Sequence, residues 1–480
     1  MSTSAPYAVL LVPAAAALGL AFVRDPKLGA RLNVAASLLT FLASLALLAG
    51  ERPPPDDLLI VDDLDSTFVA LTTLVGFTTS AFSASYIAHE LDTGRLTPAL
   101  LRFYHAMYQL MLGSMILALL ADNLGLVWVG VELATLVTVV MVGLYRTEPA
   151  LEAAWKYFIL GSVGIALAFF GTVLTYLAAQ GVLGEGLPAL AWHRILGAAP
   201  RLDPALLDLA FVFVLVGYGT KVGLVPLHAW LPDAHAEGPT PISAVLSGLL
   251  LNVALHALLR FRMIVAAHPD ALAPGPLMIA AGLASLSFAA FMLYRRRDIK
   301  RFFAYSSIEH MGIATFAFGV GGPVANFAGL LHMAMHSLTK SAIFMAVGHV
   351  AQACGTQKFA ELGGLVRSHP RLAFALGCGM VAIAGLPPFG VFTSEFLVLG
   401  SAFATRPLFA LPLAAGLLVA LGALLLRMLD VLFGEAKAPA APVRAAWWPL
   451  WLHLALVLAA GILLPDPVVQ WFRRVAALLG

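Results

Sequence analysis

Apolar runs of about 20 residues succeed one another along almost the whole chain, leaving too little polar sequence between them to face water. Wound as a helix, a run of that length crosses the hydrocarbon core of a bilayer. Lipid admits only segments that satisfy their own backbone hydrogen bonds, which means helices or closed barrels. The pattern therefore predicts an all-α membrane protein. Composition agrees: of 480 residues, 61% are hydrophobic and 11% charged, against roughly a quarter charged in soluble domains.

The periodicity predicts about fourteen transmembrane spans, near residues 6–23, 31–49, 65–85, 105–121, 123–143, 155–178, 206–230, 241–262, 274–292, 302–320, 325–351, 371–400, 406–433 and 446–470. The longest interruption, around 180–205, reads as an amphipathic connector rather than a soluble domain. No typical cleavable signal is expected, because the first basic residue, Arg24, follows the first apolar run. Two spans are interrupted. Gly217-Tyr218-Gly219-Thr220-Lys221 leads to Pro226 and Pro232, and Gly385-Leu386-Pro387-Pro388-Phe389-Gly390 sits mid-span ahead of Glu395. Proline removes a donor and blocks a helix interior, and broken helices persist in bilayers where protein or water satisfies the freed backbone. Breaks at corresponding places in two halves suggest inverted repeats around a functional site. The expected organisation is three N-terminal spans (1–104), a first five-helix repeat (105–262, spans 4–8), a second (274–433, spans 9–13), and a C-terminal span (446–480).

Of the 28 Lys and Arg residues, 18 fall in the loops after odd-numbered spans and 8 on the opposite side, while Lys221 and Lys340 lie inside spans. The largest block is Arg295-Arg296-Arg297 with Lys300 and Arg301. Positive charge marks the cytoplasmic side, so both termini are expected outside a bacterial or archaeal cell membrane.

A charge at mid-helix costs roughly 2.5–3.5 kcal/mol on insertion scales, so each one needs a reason. Glu132 lies in the fifth span, with Thr135 and Thr138 near its face. Lys221 stands at the first break, and His228 follows it. Asn252, His256 and Arg260 are four apart in the eighth span; His332, His336 and Lys340 repeat that spacing in the eleventh. Glu395 follows the second break. The set reads as a relay, since moving a carboxylate toward or away from a buried lysine switches the lysine between charged and neutral, and imidazoles with confined water bridge the gaps. Blander readings stand beside this one. Asn252 fits a helix–helix hydrogen bond, and Arg260 is expected to snorkel from a helix end. Glu309, which opens the tenth span with His310, reads equally as a relay carboxylate or an ion pair with the Arg-rich loop. A static Glu132–Lys221 pair gluing two helices is the alternative to a gate. His332 and His336 are spaced like metal ligands but lack the glutamate that follows the first histidine in zincins, so no metal is expected. Cys354 and Cys378 form no ligand set, and neither a nucleotide loop nor an iron–sulfur cysteine cluster occurs. No cofactor is expected in this chain; any redox chemistry belongs to a partner.

The stretch Lys221-Val-Gly-Leu-Val-Pro-Leu-His228-Ala-Trp-Leu-Pro-Asp233-Ala-His235, followed by Gly238-Pro-Thr-Pro-Ile-Ser243, resembles the signature of the antiporter-like membrane subunits of respiratory complex I, Mrp-type cation/proton antiporters and membrane-bound hydrogenases. Lys300-Arg-Phe-Phe-Ala-Tyr-Ser306-Ser and His336-Ser-Leu-Thr-Lys340 fit the same pattern. Within that superfamily, Tyr145-Arg-Thr-Glu-Pro-Ala-Leu-Glu-Ala-Ala-Trp-Lys156 and Tyr305-Ser-Ser-Ile-Glu-His310-Met-Gly are similar to the F subunit of hydrogenase-4-type complexes. The resemblance implies that Glu132 and Lys221 gate one half-channel, that Lys340 and His336 belong to the eleventh-helix motif, and that Glu395 takes the twelfth-helix position. Two similar half-paths are therefore expected, centred on Glu132–Lys221 and Lys340–Glu395, each beside a broken helix and joined at Asn252 and His256. The resemblance departs at Asn252, where relatives often carry a central Lys or His; His256 is the nearest substitute. The implied function is proton translocation in a multi-subunit oxidoreductase, with other membrane-arm subunits, a peripheral redox arm and the lipid bilayer as partners and no nucleic acid. Alternatives are a sodium/proton antiporter or carbon-dioxide-concentrating subunit, and a non-conducting scaffold.

Overall fold

The computed structural model describes residues 5–50, 52–435 and 441–480, and backbone only at Arg102; Lys437, one of the loop charges expected on the cytoplasmic side, lies outside them. The chain is built from helices: α1 Ala5–Leu20, α2 Pro26–Ala49, α3 Asp63–Asp92, α4 Pro98–Leu120, α5 Leu124–Val142, α6 Glu148–Leu183 and α7 Trp192–Ala198 come first. They are followed by α8 Pro204–Val222, α9 Trp230–Glu237, α10 Thr240–Val245, α11 Leu251–Ala266, α12 Pro274–Leu293, α13 Ile299–Val320 and α14 Gly322–Cys354. The last six are α15 Leu365–Ser368, α16 Pro370–Ile383, α17 Gly390–Thr405, α18 Pro407–Phe433, α19 Trp448–Ile462 and α20 Asp466–Leu478. Among the described residues there are no strands, only isolated bridges such as Leu59–Ala121 and Asp298–Lys358.

The boundaries follow from local chemistry. Side-chain oxygens of Asp25, Thr97, Asn123, Thr147, Asp203 and Asp298 accept from first-turn amides. Prolines lie in the first two positions of α2, α4, α8 and α12, where no amide proton is needed. Asp62 and Asp65 form a reciprocal capping box at the start of α3.

Among the described residues, nine helices are long and apolar enough to cross a membrane, ten if the bent pair α19–α20 is taken as one. The difference from fourteen has identifiable causes. α1, α16 and α17 are short, at 16, 14 and 16 residues. α13 and α14 are long enough but carry the polar residues, and they sit at the centre of the bundle, where every residue from Ala328 to Ala353 is buried. α10, a π-helical turn at Leu246–Leu250 and α11 form one continuous span, Thr240–Ala266, buried through Val265. A helix buried on all sides does not need an apolar exterior. On the periphery the rule inverts: Leu408, Leu411, Leu418 and Leu426 of α18 stand exposed, as side chains facing lipid do. The last span also ends earlier than expected, because the chain turns by 86° after Ile462. α20 lies across the bundle end, with Trp471 Nε1 donating to Thr67 Oγ1 at 2.7 Å and Arg262 donating to the Leu479 carbonyl at 2.7 Å.

Packing at the centre is tight because small residues meet. A Cβ on Gly282 would stand 2.6 Å from the Gly312 carbonyl, and one on Gly319 2.7 Å from the Ile279 amide, so α12 and α13 touch along their backbones. Both expected breaks are present. α8 stops at Val222 with Gly223 at φ +87°, and α16 stops at Ile383 with Gly385 at φ +64°, conformations that glycine adopts without a Cβ clash. Val225-Pro226 and Pro387-Pro388 are both cis.

Candidate functional site

The first break brings together the residues expected there. Lys221 occupies the last turn of α8, where the unpaired carbonyls of a helix end favour a cation. Its side chain is fully buried, and Nζ lies 3.9 Å from Glu132 Oε2 on α5. Neither atom has a hydrogen-bond partner. The ammonium sits 5.7 Å above the Tyr157 ring, a cation–π contact, and a Cβ on Gly161 would approach Nζ to 2.7 Å, so α6 supplies an aromatic wall and the space beside it. Tyr157 is held by Thr138, at 2.9 Å from its hydroxyl, and by stacking on Trp230 at 4.2 Å. Trp230 in turn donates to the Thr220 carbonyl at 2.8 Å, which ties the short helix α9 to the end of α8. His228 lies inside the break, against Phe288 and Tyr305, with Nδ1 unpartnered.

The second centre is arranged differently from the sequence expectation. Lys340 and Glu395 make no ion pair with each other among the described residues. Lys340 Nζ donates to the Phe303 carbonyl at 2.9 Å and lies over the Phe303 ring. Glu309 of α13 lies within electrostatic reach of it, without an ion pair between the two among the described residues. Glu309 is buried with Oε2 unpartnered, so it is not the counter-ion of the Arg-rich loop. Arg301 of that loop pairs instead with Asp233 and Glu237. Glu395 Oε1 lies 3.6 Å from His310 Nδ1, and His310 Nδ1 lies 3.1 Å from His332 Nε2. His336 is one turn along α14, its ring 5.7 Å from that of His310 and both its nitrogens unpartnered. Gly385, at the break, leaves the space that the Glu395 carboxylate fills.

The expected join resolves into two structures. Asn252 Nδ2 donates to the Met333 carbonyl at 3.1 Å and to Ser337 Oγ at 2.7 Å, fastening α11 to α14. His256 turns the other way, its Nε2 2.9 Å from Asp65 Oδ1. Arg260 does not snorkel: it is 2% exposed, bonded to Asp65 at 2.5 Å and Asp62 at 2.7 Å, and stacked 4.1 Å from Trp192. Lys300, counted as a loop charge, is also buried, its ammonium donating to the Ala236 and Gly238 carbonyls at the end of α9. Sequence reading passed over His235. It is buried on α9, stacked on Phe344 at 4.8 Å with both nitrogens free, and within electrostatic reach of Lys300, Lys340 and His336. A histidine seven residues beyond His228, on a two-turn helix behind a break, was the available signal.

The arrangement holds charged and titratable groups in two buried clusters, each beside a broken helix, with several polar atoms left unbonded. Buried polar groups are otherwise almost always paired, and orphans of this kind mark confined water or groups that change partners.

Residues 121–422 match the family model described as NADH:quinone oxidoreductase/Mrp antiporter, TM. Over 472 residues the chain is 58% identical to a protein named hydrogenase-4 component F homolog from Methylacidiphilum infernorum (isolate V4), covering 98% of this chain and 99% of that one. Its fold matches a chain of the membrane-bound sulfane sulfur reductase, an archaeal respiratory membrane complex, with TM-score 0.88 at 21% identity over 99% and 97% of the two chains. It also matches a chain of the Mrp complex from Dietzia sp. DQ12-45-1b, with TM-score 0.83 at 17% identity over 99% and 97%. The chain belongs to the NADH:quinone oxidoreductase/Mrp antiporter family of membrane subunits.

Proposed function

We propose that this chain translocates protons as a membrane subunit of a hydrogenase-4-like, multi-subunit oxidoreductase. The observation that carries the reading is the Glu132–Lys221 gap. At 3.9 Å the two charges attract but share no hydrogen bond, and both terminal atoms are orphans. A pair that served only as glue would close to charge-assisted bonding distance, about 2.8 Å. In the proposed cycle a redox step in a peripheral arm moves charge near Glu132, Lys221 gives up or takes a proton, and the change passes through His235 and His336 to the Glu309–Lys340 pair and on to Glu395. His228, His332 and confined water complete the contacts; His256 and Asn252 lie beside this route.

Fourteen spans in two inverted repeats, 105–262 and 274–433, flanked by 1–104 and 446–480, belong to the same reading; two breaks, each beside a buried charge, support it. Both termini outside a bacterial or archaeal inner membrane, and other membrane-arm subunits as neighbours, are part of the same proposal. The 58% identical relative's name favours the hydrogenase-4 type. Replacing Lys221 by Met in the assembled complex is expected to abolish coupled proton flux while leaving assembly intact. Unchanged flux in the assembled variant would overturn the relay.

A further inference from the structure

We infer that His310, His332 and Glu395 form a binding site for one divalent transition-metal ion, with zinc the best match to the donor set. Hydrogen-bond accounting points there. His310 Nε2 lies 3.0 Å from the Ile383 carbonyl, an acceptor only, so that nitrogen carries the proton. Ser394 Oγ donates to the Val391 carbonyl at 2.8 Å and therefore accepts from His332 Nδ1 at 2.9 Å. In the neutral rings the remaining nitrogens, His310 Nδ1 and His332 Nε2, both present lone pairs, and they face each other at 3.1 Å. Glu395 Oε1, a third lone-pair donor, lies 3.6 Å from His310 Nδ1. Three donors converging in this way require a cation between them, either an extra proton or a metal ion.

The distances suit the metal. Bonds of about 2.0–2.1 Å to nitrogen and oxygen in a tetrahedral zinc site separate the ligand atoms by about 3.3 Å. Two histidines and a glutamate are the donor set of open zinc sites, which keep a fourth position for water. Here a cavity of about 160 Å³, lined by Glu309, Gly385, Phe392 and Glu395 among others, reaches the site at the Glu395 carboxylate and has room for a water. Each ring's second nitrogen is already fixed by a carbonyl or hydroxyl, the outer arrangement that orients metal-bound imidazoles. The His332–His336 pair, spaced like ligands in the sequence, is not the site; His336 is left out and His310 comes in from the neighbouring helix.

An ion held there would occupy Glu395 itself, the last station of the proposed path, and block proton movement, a consequence that rests on the proposed function; the binding itself does not. The test uses the full-length chain in detergent, stripped with chelator, loaded with zinc or cobalt and desalted. Expected is one tightly held zinc per chain and, with cobalt, the visible absorption of a low-coordinate ion. Both should vanish in His332→Ala, and Ser394→Ala should weaken zinc binding about 10- to 100-fold. Should His332→Ala fail to run as a monodisperse species, Ser394→Ala, which removes only a hydroxyl, carries the test. No bound zinc in the parent chain, or the same affinity in both variants, overturns the inference. Zinc that binds at the triad without inhibiting flux in the assembled complex leaves the site standing and counts against the proton path.

Discussion

Shortening or neutralising Glu132 separates a gate from a strut in a graded way. At 3.9 Å and an effective dielectric of about 20, the Glu132–Lys221 attraction is about 4 kcal/mol, or about a thousandfold preference for the paired state. The Glu132 side chain is only 16% exposed, so solvent trims this figure without erasing it. Asp at this position withdraws the carboxylate by about one C–C bond, leaving about 3 kcal/mol and a preference of about two hundredfold. Gln retains the shape and removes the charge, and the preference collapses. Proton pumping by the purified complex in liposomes, followed with a pH-sensitive dye during redox turnover, is therefore expected to rank parent, Glu132→Asp, Glu132→Gln, with pumping by the Gln variant lost. Equal loss in Asp and Gln would mean that side-chain fit, not charge, is what α5 contributes. Full pumping by Glu132→Gln would refute the gate.

Three further outcomes test the frame around the path. Asp65→Asn leaves His256 without its carboxylate and Arg260 with Asp62 alone, a loss of about 3 kcal/mol for a disrupted buried pair; thermal unfolding read by thiol labelling of Cys354 and Cys378 should begin several degrees earlier, and an unchanged profile would remove this cluster from the stability of the bundle. Gly282→Leu forces α12 from α13, since even a Cβ meets the Gly312 carbonyl; about 1–3 kcal/mol of overpacking should show as poor monodispersity in gel filtration. Asn252→Ala removes two hydrogen bonds from α11 to α14, about 1–2 kcal/mol; proton flux per assembled complex should persist, whereas its loss would restore Asn252 to the route.

Spacing alone located the two broken helices, the lysine beside the first and the glutamate after the second, because proline and glycine act on the backbone where they stand. It also located the long apolar helices, since the length of an apolar run is fixed by the solvent it must match; the short helices such as α7, α9 and α20 carry no such signal. Partners across the bundle were another matter. Sequence paired Lys340 with Glu395, yet Lys340 bonds to the Phe303 carbonyl within electrostatic reach of Glu309, and Glu395 meets His310. Arg260 looked like a charge reaching for the surface, yet it meets Asp62 and Asp65 from a helix nearly 200 residues earlier in the chain. Periodicity says which face of a helix a residue occupies; only packing says what stands opposite. The apolar runs and their buried charges thus determined a membrane bundle with an ionisable interior. The tertiary structure decided which of those charges meet, because each contact is made between helices whose register is set by small residues such as Gly282 and Gly312.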